Sequence, residues 1–286
     1  MTRPPTFLLG AGCQKGGTTW LYRYLKASPQ FAAGYRKEYH VFDTLDVPAQ
    51  TYMRNRIFDL AEEAIANARR GDSVDAAVLH RMSMYADPRF YFDYFATLLH
   101  QKPAATLTAD MTPENALLSP ERLRSIRDGF AERGVRTASV FLMRDPVDRV
   151  WSQIRMQHHR TPERFSESAE ESLLRLHAEE SYDSRTRYDA IVQRLDSVFD
   201  ADDVAYAFYE ELFDPDQIRR ICSILGIDYH EPDLGRRANA SPEPPAELPE
   251  ETARHVAQHY GDVYRFVQDR FDADLARIWP FSRYVL

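Results

Sequence analysis

Residues 7–21 read FLLGAGCQKGGTTWL, and this stretch decides the fold. The apolar run Phe7–Ala11 suits a strand buried on both faces, and the pattern that resumes at Thr18 continues to Lys26 as an amphipathic helix. Glycines, a lysine and threonines lie between the two. Such a turn directs backbone N–H groups and the positive end of a helix dipole at one small volume. The stretch therefore predicts an anion-binding loop.

Three residue types in this loop suit a phosphate. Gly16 and Gly17 let the backbone approach an anion closely, Thr18 and Thr19 add hydroxyl donors, and Lys15 adds a positive charge. In the ATP-binding loop G-x-x-x-x-G-K-[ST] the lysine follows the last glycine, whereas here it precedes the glycine pair. An ordinary tight turn is the alternative, but strand, glycines, lysine, threonines and helix all occur in order.

The strand, loop and helix pattern occurs again further along the chain. Thr137–Met143 reads as a strand, and Asp145 before a proline is typical of a helix N-cap. Val204–Tyr209 reads as a strand and precedes a helix from about Pro215 to Leu225. Strands that alternate with helices predict an α/β fold, here one domain over 1–286 with a central parallel sheet flanked by helices. Ligands bind such sheets at the carboxyl ends of the strands.

Much of the remaining chain is predicted to be helical. The segments 51–105 and 160–200 have helical periodicity, with Gly71 as a helix stop in the first and two amphipathic helices over 166–199 in the second. Four prolines predict an irregular loop at 241–250. One final helix carries the apolar residues Val256, Tyr260, Val263, Phe266 and Val267.

Composition excludes several classes of protein. The 286 residues include 44 acidic and 36 basic side chains, a net charge of -8, and the dispersed basic residues form no evident surface for nucleic acid. The two cysteines, Cys13 and Cys222, are too few for a disulfide framework and read as free thiols in a reducing compartment. No apolar stretch near the N-terminus is long enough for a signal peptide or membrane span. These features predict a cytoplasmic protein.

The residues that follow the predicted strand Thr137–Met143 indicate whether the protein needs a metal ion. A kinase or ATPase neutralises a transferred phosphoryl group with magnesium held by protein side chains. The residue after Met143 is instead Arg144, and Asp145 reads as a helix cap. A sulfuryl group carries less charge and relaxes the requirement for a metal ion. The sequence therefore predicts no metal.

Two motifs carry a family resemblance. Residues 14–20 (QKGGTTW) resemble the 5'-phosphosulfate loop of sulfotransferases that use 3'-phosphoadenosine 5'-phosphosulfate (PAPS), a family with a P-loop-like fold. Residues 140–153 (VFLMRDPVDRVWSQ) resemble the segment with which that family holds the 3'-phosphate. The resemblance implies that the residues that bind PAPS are Lys15, Gly16, Gly17, Thr18, Thr19, Trp20, Arg144 and Ser152.

A third stretch indicates a branch of the family. Residues 36–43 (RKEYHVFD) resemble the K-E-x-H-x-F-[FD] segment of the carbohydrate, heparan sulfate type of sulfotransferase and its bacterial relatives. The resemblance implies that Glu38 is the base that deprotonates the acceptor, with His40 and Asp43 in support, although His40 is an alternative base. Lys15 is implied in catalysis as well. A solvated charge run after a strand is the other interpretation of this stretch.

Two further stretches relate to the family less closely. Residues 107–118 (LTADMTPENALL) resemble its acid-K-[ST]-P-x-Y segment, but Met111 replaces the lysine and Asn115 the tyrosine. The missing lysine speaks against a polyanionic sugar acceptor. Arg237 lies where the family has a basic loop that closes over PAPS, although an exposed basic turn is the alternative interpretation.

The resemblance implies transfer of a sulfuryl group from PAPS to a hydroxyl or amine of a carbohydrate or small natural product. The segments 51–105 and 160–200 are then expected to shape the acceptor pocket. Two competing hypotheses are a P-loop kinase that uses ATP and magnesium, and a non-catalytic nucleotide-binding protein. The sequence contains no signal for the oligomeric state.

Overall fold

One parallel sheet organises the protein. The computed structural model describes residues 3–233 and 248–286, and its four strands lie in the order β2-β1-β3-β4. Leu8 at the middle of β1 pairs with Ala109 of β2 and with Ala138 of β3, all in parallel register. The strands are β1 (Thr6–Gly10), β2 (Leu107–Asp110), β3 (Arg136–Met143) and β4 (Val204–Phe208). The prediction of a single α/β domain with a central parallel sheet is confirmed.

Helices cover both faces of the sheet and form most of the remaining chain. They are α1 (Thr18–Ala27), α2 (Phe42–Asp46), α3 (Thr51–Arg70), α4 (Ala76–Ala86), α5 (Arg89–Gln101), α6 (Pro120–Ala131), α7 (Pro146–Arg160), α8 (Ala169–Leu176), α9 (Glu180–Asp183), α10 (Tyr188–Asp196), α11 (Pro215–Leu225), α12 (Glu250–His259), α13 (Gly261–Phe271) and α14 (Leu275–Ile278). The loop between β1 and α1 and the junction between β3 and α7 are the two strand-to-helix connections that the motifs predicted.

Strand β2 was not predicted from the sequence. It has only four residues, and two of them, Thr108 and Asp110, are polar although fully or almost fully buried. The structure supplies partners for both, because Thr108 Oγ1 donates to the carbonyl of Ala32 at 2.8 Å and Asp110 Oδ2 accepts from the Tyr91 hydroxyl at 3.0 Å. Hydrogen bonds to such distant residues offset the cost of burying polar groups. They cannot be predicted from the hydrophobic periodicity of the sequence.

Two helical predictions need correction. The segment 166–199 contains three helices (α8, α9 and α10) rather than two, because a short turn of helix follows α8. The predicted final helix is two helices, α12 and α13, separated at Tyr260, whose backbone leaves the helical conformation. Residues 241–247 of the predicted irregular loop at 241–250 lie outside the described residues. Its last residue, Glu250, begins α12.

The two faces of the sheet carry separate hydrophobic clusters. Phe7 and Leu9 of β1 face one cluster, while Leu8 faces the other, as the alternation of side chains along a strand requires. On the first face, Phe130 of α6 stacks on Phe7 with ring centroids 3.9 Å apart. All of β1 is buried, which explains why its central residues Phe7, Leu8 and Leu9 are apolar on both faces.

Among the helices within residues 3–233 and 248–286, none is both long enough and apolar enough to cross a membrane.

Truncation of Phe130 tests the packing of the first cluster. The side chain is fully buried and packs on Phe7 and edge-on against Phe92, so Phe130→Ala leaves a cavity under β1. We expect a loss of about 3–5 kcal/mol in the free energy of unfolding, measured with urea. Phe90→Ala is the control, since that ring is half exposed, and should cost well under half as much. Equal losses in the two variants would contradict this packing.

Candidate active site

The loop after β1 is held against the carboxyl end of β3. The Cys13 N–H donates to the Leu142 carbonyl and the Leu142 N–H donates to the Gly12 carbonyl, both at 2.8 Å. A Cβ at Gly16 would lie 2.8 Å from the same Leu142 oxygen, so only glycine fits there. Gly17 caps α1 with a left-handed φ of 93°, a conformation that also favours glycine. The predicted glycine pair therefore has a steric reason at both positions.

This loop presents backbone donors at the start of α1. The N–H groups of Gly17, Thr18 and Thr19 donate to no acceptor within the described parts of the chain. They belong to the first turn of a ten-residue helix, where the helix itself has no carbonyl to offer. Together with the helix dipole they can bind an anion. Trp20 instead packs inward, 8% exposed and stacked on Tyr24.

Arg144 lies beside this loop. Its Nη1 is 3.4 Å from the Lys15 carbonyl, and its guanidinium stacks over the Tyr209 ring at 4.7 Å. The carboxylate of Asp148 is 3.8 Å from its Nη2, one turn into α7. Ser152 lies on α7 one turn further on and is partly exposed. The two predicted PAPS motifs thus meet at the carboxyl ends of neighbouring strands β1 and β3.

Positive charge is concentrated around Lys15. Burial lowers the pKa of Lys15, and the charges of Arg144, Arg160 and Arg155 lower it further. Its ammonium is 3.8 Å from the Met156 sulfur on α7 rather than from a carboxylate. Neither Arg155 nor Arg160 forms an ion pair within residues 3–233 and 248–286. The cluster has more positive than negative charge, so a polyanion would stabilise it.

Lys37 connects the loop with the predicted base. Its ammonium donates to the hydroxyls of Thr18 and Thr19 at 3.1 Å each and to Glu38 Oε1 at 2.7 Å. A phosphate on the loop would compete with Glu38 for this ammonium. Lys37 lies inside the motif at 36–43 but is not among the residues predicted to form the site.

His40 is surrounded by carboxylates. Its Nδ1 is 2.7 Å from Asp43 Oδ2 and 3.9 Å from Glu114 Oε2, and its Nε2 is 3.7 Å from Glu38 Oε2. Arg185 approaches Glu114 to 3.5 Å and balances part of this negative charge. Asp43, Glu114 and Arg185 are buried. The supporting role that the resemblance gave to Asp43 therefore has a geometric counterpart.

The charges in this network set the proton positions. Burial raises the pKa of Glu38, but hydrogen bonding to His40 and the charge of Lys37 outweigh it and bring the pKa to about 2. Burial lowers the pKa of His40, but Asp43 and Glu38 outweigh that effect and raise it to about 10. At neutral pH Glu38 is a carboxylate and His40 an imidazolium. Of the two, only Glu38 can accept a proton.

The same residues have the composition of a metal site. Ligand atoms of His40, Asp43 and Glu114 lie within 4.8 Å of one another. His40 Nδ1 and Asp43 Oδ2 are already hydrogen-bonded at 2.7 Å, and Arg185, 3.5 Å from Glu114, already places a positive charge beside these carboxylates. The arrangement is therefore better described as an ion network.

Asp145 and Asp110 lie near strand ends, where a protein that uses a magnesium nucleotide places an acidic metal ligand. Asp145 accepts from the Val147 N–H at 3.0 Å, the Tyr264 hydroxyl at 2.6 Å and the Phe281 N–H at 3.0 Å. Asp110, at the end of β2, accepts from the hydroxyl and the N–H of Thr112, among other donors. The predicted cap role of Asp145 is confirmed. Both carboxylates are engaged by protein donors.

The structure brings the predicted residues into two adjoining groups. Lys15, Gly16, Gly17, Thr18, Thr19, Arg144 and Ser152 line the loop side, and Glu38, His40 and Asp43 line the other. Arg237 lies outside the described residues. Sequence reasoning missed Lys37, Glu114 and Arg185. The first two stood inside quoted motifs, but no signal in the sequence singled out Arg185.

The fold and the loop define a P-loop-like α/β protein with a glycine-rich loop at the carboxyl end of its sheet. A family model described as the sulfotransferase family matches residues 5–231. The chain therefore belongs to the sulfotransferase family.

One solved structure agrees with this assignment at the level of the fold. A sulfotransferase from Alicyclobacillus acidocaldarius is 23% identical with a TM-score of 0.61, over 97% of this chain and 99% of that one. A sulfotransferase domain from the curacin biosynthetic pathway is 15% identical (TM-score 0.43, 91% and 98% covered), and one from Mycobacterium avium is 13% identical (TM-score 0.40, 91% and 68% covered). The last two are too distant in structure to carry an argument. No curated protein matches the chain.

The protonation of His40 can be measured directly. We expect the ¹⁵N chemical shifts of labelled His40, assigned with a His40→Gln variant, to remain those of an imidazolium at pH 8, because Asp43 and Glu38 raise its pKa. Asp43→Asn should move the titration toward the ordinary histidine value of about 6.5. Titration near that value in the unmodified protein would rule out the ion network.

Proposed function

We propose that this protein transfers a sulfuryl group from PAPS to a hydroxyl or amine of a small acceptor. One observation carries the proposal, the position of the loop that contains Lys15 and the unpaired N–H groups. Arg144 lies on one side of this loop. On the other side, Lys37 joins the loop to the Glu38 carboxylate. Family membership supports the reaction class. The choice of PAPS as donor, and of Glu38 as base, is our inference.

The residues present fit a donor with two phosphate positions. The unpaired loop N–H groups and Lys15 suit the phosphosulfate end, and Arg144 with Ser152 suits the 3'-phosphate. The unbalanced positive charge around Lys15 is the physical reason for the fit, since a multiply charged nucleotide would neutralise it. PAPS would supply the activated sulfuryl group. Trp20 contributes mainly by packing under the loop, and Arg237 remains a sequence-based proposal.

Glu38 is proposed as the base. Its carboxylate is ionised, partly exposed and joined to the donor loop through Lys37. The pKa of about 2 makes it a weak base while Lys37 is bound to it. A donor phosphate that draws Lys37 away would raise this pKa and let Glu38 take the proton of an acceptor hydroxyl. His40 would orient Glu38 rather than act as a base, because its pKa of about 10 keeps it protonated. Asp43 and Glu114 hold His40 in that state.

Lys15 is proposed to stabilise the departing phosphate oxygen. A fixed positive charge placed where negative charge develops is among the strongest contributions an active site makes. The left-handed backbone of Lys15, with φ of 72°, and the contact with Met156 hold the side chain on the α7 side of the loop. No metal is required for this role.

The acceptor is proposed to bind between the two mainly helical segments, 51–105 and 160–200. From the first segment, the Tyr85 hydroxyl of α4 donates to the His40 carbonyl, and from the second, Arg185 lies 3.5 Å from Glu114. Side chains from both segments thus approach the ion network around His40. The motif at 36–43 favours the carbohydrate branch, and a sugar or a small natural product is the proposed acceptor class.

A kinase is the weaker alternative. Asp110 and Asp145 accept hydrogen bonds within the protein, which either would have to give up in order to bind magnesium. A non-catalytic nucleotide-binding protein would not need an ionised carboxylate held next to the loop, and Glu38 speaks against it.

Calorimetry with the donor product tests the proposed ligand. We expect 3'-phosphoadenosine 5'-phosphate (PAP) to bind with micromolar affinity and ATP with magnesium to bind much more weakly. Arg144→Ala should weaken PAP binding at least tenfold, because a charge-assisted contact with a phosphate is lost. Tighter binding of ATP with magnesium would replace the proposal with a kinase.

Turnover tests the two catalytic roles. We expect Lys15→Ala to lower kcat by about 10²- to 10³-fold through loss of one preorganised donor, and Glu38→Gln by about 10²- to 10⁴-fold through loss of the base. The assay follows PAP release with the acceptor found by screening. Lys26→Ala, an exposed lysine of α1, is the control and should keep kcat. Unchanged kcat in Lys15→Ala or Glu38→Gln would refute the corresponding role.

A further inference from the structure

Helix α4 carries a buried arginine whose charge is not balanced. Arg81 is 6% exposed, and its Nε and Nη2 atoms have no hydrogen-bond partner. Within the described ranges no carboxylate lies at ion-pair distance from it. Asp110 acts on its pKa from further away, but that carboxylate is used by Thr112 and Tyr91. Buried polar groups without partners are rare in native proteins and need an explanation.

A second guanidinium lies on a neighbouring segment. Arg36 follows Tyr35, whose ring centroid is 5.7 Å from that of His80, the residue before Arg81. Arg36 is partly buried, its Nε is also without a partner, and its charge is among the causes, after burial, that lower the pKa of Arg81. Two positive charges that repel each other in a partly dry place destabilise the free protein. An anion between them would relieve both the repulsion and the missing hydrogen bonds.

Aromatic rings form a wall beside the two arginines. The rings of Tyr35, His80 and Tyr94 contact one another, with centroid distances of 5.0 to 5.7 Å. Tyr35 is 38% exposed, and the charges of Arg81 and Arg36 act on its hydroxyl. The region next to Arg36 and Arg81 is thus open to solvent at Tyr35. A ligand bound there would contact both the guanidinium groups and the aromatic rings.

This place adjoins the proposed base. Arg36 precedes Glu38 by two residues, a separation of roughly 7 Å along an extended chain. Arg81 acts on the Tyr85 hydroxyl through its charge and a hydrogen bond, and that hydroxyl donates to the backbone carbonyl of His40. A molecule the size of a sugar or a substituted ring can span from the arginine pair to the Glu38 carboxylate.

We propose that Arg36 and Arg81 form an oxyanion subsite for the acceptor, which therefore carries a carboxylate, sulfate or phosphate group a few ångströms from the hydroxyl or amine that is sulfated. The proposal rests on the proposed function. Planar guanidinium forks match such oxyanions with two parallel hydrogen bonds, and the unpaired Nε and Nη2 of Arg81 form one edge of such a fork. The Tyr35 ring would cover the body of the acceptor.

The test is binding of inorganic sulfate to protein that is saturated with PAP, so that the donor position is filled. Titration calorimetry at constant ionic strength compares the unmodified protein with Arg81→Met, Arg36→Met, Lys15→Met and a charge-matched control, Arg89→Met. Arg89 is exposed and pairs with Asp87 at the start of α5. Thermal unfolding without sulfate checks the fold: Arg81→Met should keep or raise Tm, since it removes an unpaired buried charge.

We expect Arg81→Met and Arg36→Met to weaken sulfate binding on the order of tenfold, because each removes a charged hydrogen-bond donor, while Arg89→Met and Lys15→Met leave it unchanged. Equal sulfate affinity in Arg81→Met and the unmodified protein, absence of sulfate binding, or competition between sulfate and PAP would each overturn the subsite. A folded Arg81→Met with markedly lower Tm would show a structural role instead. PAP affinity is measured first, so failure of the donor proposal is seen separately.

Discussion

The close contact between the loop after β1 and the end of β3 is the constraint on which the site depends. The Cys13 N–H bonds to the Leu142 carbonyl, and Gly16 leaves no room for a side chain against that same oxygen. This contact places Lys15 next to Arg144, although 129 residues separate them in the chain. Both ends of the proposed donor are thus positioned by one pair of neighbouring parallel strands.

The C-terminal helices reinforce the same junction. Asp145, the N-cap of α7, accepts hydrogen bonds from Tyr264 and Phe281, and Glu210 accepts from the Trp279 indole at 3.0 Å. Burial raises the pKa of Asp145 and of Glu210 to about 7 each. These contacts lie just after Arg144, so the last part of the chain stabilises the strand end that carries this arginine.

Charge is segregated within a protein whose net charge is -8. Positive groups gather around Lys15, carboxylates gather around His40, and Lys37 contacts both sides through the threonines and Glu38. Such an arrangement suits a reaction in which negative charge develops on a leaving group at one end and a proton is taken at the other. Arg36 and Arg81 extend the positive side beyond the base, toward the segment that the acceptor is proposed to occupy.

Local sequence alone determined the loop after β1, because the proposed donor site needs particular residues in consecutive order: Gly16 and Gly17 for close approach, Lys15 for charge and a helix start at Thr18. Three of the four strands and the α7 cap at Asp145 were predictable for the same reason.

Strand β2 was not predictable, since its buried polar residues depend on partners such as Ala32 and Tyr91 that lie far away in the chain. Only the tertiary structure decided which cations and carboxylates meet. Lys37 reaches the loop, Arg185 reaches Glu114, and two buried nitrogen atoms of Arg81 lack hydrogen-bond partners because distant segments pack there. Electrostatic interactions of this kind depend on distance in space, which residue order does not encode.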